Sequence, residues 1–400
     1  MSGQNKKIIF LGLYYDEEGY KIASRYSKTK PQDQIQKWQK NLLKGFSQIG
    51  VDVTVLNVLP VGSFPINYRK LTVKQADWPN GKRIGYIDLP VLKLKLIRKK
   101  LYKEIIKIIK KEPDTAIIAY DFYQPFVEVL AKVKKNYPAV KTSLIVLDAV
   151  FGREDMYDSK RRRRLGDYLV KVAKKTDSFV VATDNLAYNL EIGERPYIVT
   201  ECIADSETPA NKEAKGDENI FLYTGTLNEF CGILDLIEAF TNISDAELWV
   251  CGKSGCQKAV QEYADKYENI KYFGYLSSDE LNVLRDRCSF LINPRRPTGT
   301  YTKNSFPSKT FEYLLSRKPA IMYKLEGIPD EYDVYLNYIT GESATKIAEE
   351  IRHILKQNYD DLRRKAKNGR EFVLREKNES VQAKKILQMM DRIVIKEKNL

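Results

Sequence analysis

Short apolar runs alternate along this chain with longer stretches whose apolar residues recur every three or four positions, and the two patterns predict strands and helices in succession. Residues 8–13, 51–58, 84–89, 116–120, 143–147 and 179–182 read as a first series of strands. A second series comprises residues 220–224, 248–251, 270–273, 290–293 and 319–323. Helices are predicted at 35–48, 93–111 and 160–175, and three more at 343–357, 360–376 and 380–396 close the chain. In helix 160–175 the residues expected to face inward are Leu165, Tyr168, Leu169 and Val172. The last helix carries Ala383, Ile386, Leu387, Met390, Ile393 and Val394 on one stripe. Buried strands alternating with helices belong to parallel sheets covered on both faces. The expected fold class is therefore α/β, with two Rossmann-like domains facing a cleft.

Periodicity lapses twice. Residues 14–34, rich in Lys, Ser and Tyr, read as a long polar loop after the first strand. Loops at the carboxyl ends of such strands line the ligand crevice, which makes Lys28, Lys30 and Gln34 binding candidates. Residues 203–218, IADSETPANKEAKGDE, read as an interdomain linker. The expected division is a first domain at 1–202 and a second at 219–379.

Length and composition narrow the possibilities. The 400 residues suffice for two full cores. No apolar run approaches the roughly 20 residues that cross a bilayer, and the amino terminus has no signal-peptide pattern, so a cytoplasmic protein is expected. Cys202, Cys231, Cys251, Cys256 and Cys288 form no CxxC pair, which favours reduced thiols. His353 is the single histidine, so histidine triads and multi-histidine metal sites are excluded. No metal is expected.

The net charge of +14 points to an anionic partner. Much of it lies on the amphipathic helices 93–111 and 160–175, which suit peripheral attachment to an anionic membrane surface, although a lysine-rich surface helix packed on a sheet has the same pattern. No nucleic-acid module is recognisable, and neither domain begins with GxGxxG.

The densest chemistry lies in residues 290–323, FLINPRRPTGTYTKNSFPSKTFEYLLSRKPAIMY. A strand, a polar loop, a helix and another strand are predicted, with Ser305 as the helix cap and Pro307 in its first turn. Phe311, Leu314 and Leu315 would face the sheet, while Ser305, Lys309 and Glu312 share the opposite face. Free N–H groups, the helix dipole and Lys309 make this terminus an anion site, phosphate being the natural visitor. Glu312, a turn later, is placed to accept hydrogen bonds from sugar hydroxyls on that phosphate. An ordinary cap with an exposed Lys309–Glu312 pair is the plainer alternative.

The stretch SFPSKTFEYLLSRKPAI, with the upstream INPR, resembles the donor-binding segment of GT-B glycosyltransferases, specifically bacterial family 4 enzymes of surface-polysaccharide synthesis. The SFPSK motif marks one branch of that family, and the resemblance covers most of residues 215–375. In the family pattern Glu-x7-Glu the second glutamate holds the donor ribose; Glu312 occupies its place, and the first position falls on Asn304, a departure. The resemblance assigns the turn from Gly225 to Gly232 to the donor diphosphate, with Thr226 and Cys231 where a basic pair is usual. It assigns the backbone at Gly274 and Tyr275 to the nucleobase edge. Lys253, Arg295, Arg296, Ser305, Ser308 and Lys309 complete the donor candidates. On the acceptor side stand Lys28, Lys30, Gln34 and Asp121, and Asp148 would orient or deprotonate the acceptor hydroxyl. The final helix, 380–400, would cross back to the first domain.

The activity implied is transfer of a sugar from a nucleotide-diphosphate donor, UDP- or GDP-linked, to a hydroxyl of a lipid-linked glycan. Retention of configuration, Lys309 as the charge stabiliser of the leaving diphosphate and no metal or cofactor are implied with it. The alternative is a non-catalytic GT-B partner subunit that binds nucleotide or an active transferase.

Overall fold

The computed structural model describes residues 6–28, 33–148, 160–212, 219–299 and 301–393, without the side chains of residues 33–35, 161 and 301. Two units are distinguished: Met1–Ile203 with Asn304–Phe306 and Asn378–Leu400, and Ala204–Lys303 with Pro307–Lys377.

The first unit opens with β1 (Lys7–Gly12), α1 (Glu17–Tyr26), α2 (Asp33–Gln48) and β2 (Asp52–Asn57). Four short strands follow, β3 (Thr72–Val73), β4 (Ala76–Trp78), β5 (Gly81–Arg83) and β6 (Tyr86–Ile87). Then come α3 (Leu92–Ile109), β7 (Ala116–Tyr120), α4 (Gln124–Asn136), β8 (Thr142–Val146), α5 (Lys160–Ala173), β9 (Ser178–Val181), α6 (Asp184–Asn189) and β10 (Tyr197–Val199). The sheet order is β10-β9-β8-β7-β1-β2-β5-β4, parallel except for the β4–β5 pair. Its order reverses between β1 and β7, so a ligand crevice is expected outside their carboxyl ends.

The second unit contains β11 (Ile220–Thr226), α7 (Ile233–Phe240), β12 (Glu247–Lys253), α8 (Gln257–Lys266), β13 (Ile270–Tyr272), α9 (Ser278–Arg287) and β14 (Phe290–Asn293). After α10 (Tyr301–Asn304) it continues through α11 (Ser308–Ser316), β15 (Ala320–Met322), β16 (Asn337–Tyr338), α12 (Ala344–Leu355) and α13 (Tyr359–Glu376). Its sheet is wholly parallel in the order β13-β12-β11-β14-β15-β16, reversing between β11 and β14. Both units are thus α/β folds of the doubly wound kind. Helix α14 (Glu379–Asp391) belongs to the first unit, where Ala383, Ile386, Met389 and Met390 join Trp38, Leu42 and Phe46 of α2 in the core. The carboxylate of Glu379, 1% exposed, receives Lys44 at 3.3 Å and Gln48 at 3.1 Å.

Three expectations are corrected. Within the supposed loop 14–34 lies helix α1, capped by Asp16, which accepts from the Gly19 N–H. Arg83, 1% exposed, fastens it by donating to Asp16 at 2.7 Å and Glu18 at 2.6 Å, so ion pairs hold it more than an apolar stripe does. The predicted strand 84–89 shrinks to Tyr86–Ile87, paired antiparallel with Thr72–Val73, because the place beside β2 is taken by β5. On α5, Leu169 is buried, but Leu165 and Tyr168 are 42% and 46% exposed. The small residues Gly166 and Ala173 are buried in their stead.

Candidate functional site

At the switch point of the second sheet, β11 ends in Thr224, Gly225 and Thr226, and α11 begins close by. The ammonium of Lys309 donates to Thr224 Oγ1 at 3.3 Å. Gly225 is what admits the lysine: a Cβ there would stand 2.9 Å from Lys309 Cε. The neighbouring strand end is fixed more rigidly, since a Cβ on Gly252, at φ 150°, would lie 1.8 Å from the Gly225 carbonyl oxygen.

Helix α11 starts at Ser308 with Pro307 as its cap residue and no side-chain cap hydrogen bond, which corrects Ser305 as the cap. Proline in that place leaves the amino-terminal N–H groups of the helix without a side-chain acceptor, a setting suited to an anion. Phe311, Tyr313 and Leu314 are buried beneath, and Leu315 is half-buried. Desolvation lowers the pKa of Lys309; the charge of Glu312 opposes the shift and that of Arg285 adds to it. Arg285 is a residue that the sequence reading missed. It reaches from α9 to Glu312, Nη2 to Oε2 at 3.2 Å. Lys309 and Glu312 are therefore directed to different partners rather than forming an isolated helix pair.

The remaining donor candidates differ in their engagement. Arg295 follows β14, and its guanidinium lies 5.3 Å from the centre of the Phe230 ring. Arg296 is bound to Asp235 at 2.9 Å and also donates to the Glu342 carbonyl. Lys253 ends β12 with its ammonium 4.4 Å from the centre of the exposed Tyr275 ring. Gly274, at φ 69°, makes the turn before Tyr275. Thr226 and Ser308 are exposed, whereas Cys231 is half-buried and its thiol pKa is raised by desolvation, against the lowering charges of Arg295 and Lys309. Ser305 is buried and groups with the first unit, as does Asn304. Asn304 Oδ1 accepts from Asn185 at 2.7 Å and Asn189 at 2.6 Å, so its side chain ties this short segment to α6.

In the first unit the backbone after β1 is held by two amides. Gln39 exchanges two hydrogen bonds of 2.8 Å with Leu13, and Asn57 bonds both the N–H and the carbonyl of Tyr14. Asp121, just past β7, is half-buried at φ 68°, with its Oδ1 accepting from the Phe122 N–H at 2.6 Å. Desolvation raises its pKa; the Phe122 hydrogen bond opposes that, and the charge of Asp148 reinforces it. Asp148, two residues past β8, is exposed and couples electrostatically to Asp121 and Tyr120. Lys28 is exposed, its backbone N–H donating to Asn67 at 3.0 Å. Lys30 lies outside the described residues, and Gln34 falls in α2 with its side chain outside them. Thr224, Asp235 and Arg285 carried no sequence signal, since each takes part only through a contact distant along the chain.

Residues 205–372 match the family model Glycosyl transferases group 1. An uncharacterized glycosyltransferase of Methanocaldococcus jannaschii is 26% identical over 266 residues, 63% of this chain and 68% of that protein. Among solved structures, sucrose-phosphate synthase of Thermosynechococcus elongatus has a TM-score of 0.64 at 16% identity, over 97% of this chain and 98% of that one. A glycosyltransferase from Rickettsia africae has a TM-score of 0.64 at 15% identity, over 99% and 100%. The trehalose-6-phosphate protein of E. coli, bound with UDP-2-fluoro glucose, has a TM-score of 0.61 at 8% identity, over 97% and 100%. The chain has the fold of GT-B glycosyltransferases, and residues 205–372 are similar to the Glycosyl transferases group 1 family.

Proposed function

We propose that the protein transfers a sugar from a nucleotide-diphosphate donor, UDP- or GDP-linked, to a hydroxyl of a lipid-linked glycan, with retention of configuration and without a metal. The observation that carries this reading is Lys309 in the first turn of α11, set against the end of β11 with Glu312 one turn on. A cation and free N–H groups suit the diphosphate; a carboxylate 3 residues along the helix suits ribose hydroxyls. Fixed positive charge at the leaving phosphate stabilises the charge that develops as the glycosidic bond breaks. Arg295, Lys253 and Ser308 extend the phosphate contacts, and the Gly274–Tyr275 backbone reads the base. Asp148 orients the acceptor hydroxyl, and Asp121, Lys28, Lys30 and Gln34 contact the acceptor. That the E. coli structure holds a UDP-sugar analogue in the same fold favours UDP. Calorimetric titration with UDP and GDP tests the donor site: saturable binding weakened at least tenfold by Lys309→Ala supports it, and binding indifferent to that change refutes it.

Peripheral attachment to an anionic membrane on the cytoplasmic face belongs to the same reading. The exposed Leu165 and Tyr168 of α5 stand beside the exposed Arg162, Arg163 and Arg164, and Val91 and Leu92 at the start of α3 are also exposed. Glu128 of α4 bridges the two basic helices, accepting from Arg98 of α3 and from the Tyr168 hydroxyl at 3.1 Å. Apolar side chains exposed among cations are what an amphipathic membrane face requires.

A second reading, a non-catalytic partner subunit, is favoured by Asn304. Its side chain is committed to Asn185 and Asn189 where a carboxylate would contact the transferred sugar in the family pattern. Donor turnover by the isolated protein rules this reading out.

A further inference from the structure

The strands of the second sheet run parallel, so the donor candidates at their carboxyl ends leave the amino-terminal edge to other uses. At that edge, just ahead of β15, lies a cavity of about 240 Å³ lined by Arg317, Lys318, Pro319, Tyr359, Asp360, Arg363, Arg364 and Lys367. Five basic residues and one carboxylate thus line it. None of these residues belongs to the donor candidates.

The cations come from two elements. Arg317 is the carboxyl-terminal cap of α11 at φ 64°, a conformation usually left to glycine or asparagine. Lys318 is 3% exposed, its ammonium donating to the carbonyls of Cys288 at 2.7 Å and Asp286 at 3.1 Å. Arg363, Arg364 and Lys367 project from the first half of α13. Arg363 bonds Asp360 at 3.3 Å and Arg364 bonds Asp361 at 2.8 Å, but those carboxylates are 81% and 58% exposed. Such pairs along one helix surface are weak and readily exchanged for a better acceptor. Like charge is crowded here. Burial lowers the pKa of the adjoining Arg370, and the charge of Arg317 lowers it further. The Tyr359 ring gives the cavity a fixed wall, anchored by its hydroxyl to the Ser289 carbonyl at 3.2 Å and packed edge-on to Phe290.

A solvated basic face is the plain reading, and concavity is what departs from it. Cations spread over a convex surface would repel less. Guanidinium forks from two elements converging on one hollow suit bidentate contact with phosphoryl oxygens. A single phosphate carries about −1.5 to −2 charges at neutral pH, fewer than the cations around the hollow can match. We propose that this cavity is a second anion site, independent of the donor site, that takes a ligand bearing two linked phosphoryl groups.

The test is calorimetric titration of pyrophosphate, at low ionic strength, into the full chain carrying Lys309→Ala, so that the donor site contributes less. Saturable binding with one ligand per chain is expected. Adding Arg317→Gln and Arg363→Gln should weaken it at least tenfold, whereas Arg317→Lys with Arg363→Lys, which keep the charge, should weaken it less. Absence of saturable binding in the Lys309→Ala chain overturns the proposal, as does binding unchanged by the two glutamines. Loss of nucleotide binding through Lys309→Ala with pyrophosphate binding retained would show the two sites to be separate.

Discussion

Arg285 Nη2 lies 3.2 Å from Glu312 Oε2, joining α9 to the helix that carries Lys309. The pair is partly screened, the two side chains being 19% and 34% exposed. Its arginine sets the direction of a carboxylate that, in the donor-site reading, meets the ribose. Glu312→Ala is expected to lower nucleotide affinity about tenfold, or ~1.4 kcal/mol, by removing the acceptor outright. Arg285→Ala should act more weakly, loosening a carboxylate that is still present. Calorimetric affinities for the two variants check the ranking.

The depressed pKa of Lys309 has a defined sign. Between its folded value and the ordinary 10.5 the unfolded chain holds more protons, so stability attributable to this lysine rises with pH across that window and is smallest below it. Anion binding runs the other way, because it needs the charged form. Nucleotide affinity should therefore fall with rising pH earlier than an ordinary lysine would dictate, and binding at alkaline pH should take up a proton. Binding enthalpies measured in buffers of different ionisation enthalpy report that uptake, and Lys309→Arg should abolish it.

Two adjacent glycines separate affinity from stability. Gly225→Ala would press on the flexible end of Lys309, which can move aside. A several-fold loss of nucleotide affinity with little change in Tm is expected. Gly252→Ala meets backbone instead, 1.8 Å from the Gly225 carbonyl oxygen at a positive φ. That variant should lose more than about 2 kcal/mol of stability, read as a shift in the denaturant midpoint.

Asp121 carries a pKa raised above 3.8, chiefly by desolvation. A raised carboxyl pKa means that stability from this group is present below the unfolded value and lost as pH rises through the folded one. Asp121→Asn keeps the acceptor for the Phe122 N–H and tolerates φ 68°, so it should stabilise the protein at neutral pH. The gain should vanish in acid. Thermal melts at pH 7 and pH 4 make the comparison.

Neutralising Lys95, Lys99, Lys103 and Lys107, all exposed on α3, should reduce sedimentation with phosphatidylglycerol vesicles. Leu165→Ser with Tyr168→Ser should reduce it at constant charge. Unchanged binding in both variants would leave the basic helices as ordinary surface.

Much of this molecule was legible in the sequence where burial sets the pattern. Residues 116–120 and 290–293 are strands with the predicted bounds, and of the last predicted stripe Ala383, Ile386, Met390 and Ile393 lie in a core with Leu387 packed against it, while Val394 lies outside the described residues. Elements held by charge were not legible. Helix α1 buries only Gly19 and Ala23 and depends on Arg83, far along the chain, so its residues look like loop. Helix α5 shows the converse, for periodicity marked Leu165 and Tyr168 as core, yet Gly166 and Ala173 let the helix pack through small residues. At the candidate site, Lys309 was visible through its place at a helix start. Arg285 and Thr224 were not, because a tertiary contact leaves no local spacing.

The most direct measurement is nucleotide release from a panel of UDP-, GDP-, dTDP- and ADP-sugars by the wild-type chain, Lys309→Ala and Glu312→Ala. Turnover of one donor class, lost in both variants, is the result expected of a transferase whose donor site lies at the start of α11. Turnover that persists in both variants, or a wild-type chain that neither turns over nor binds any nucleotide of the panel, would contradict it.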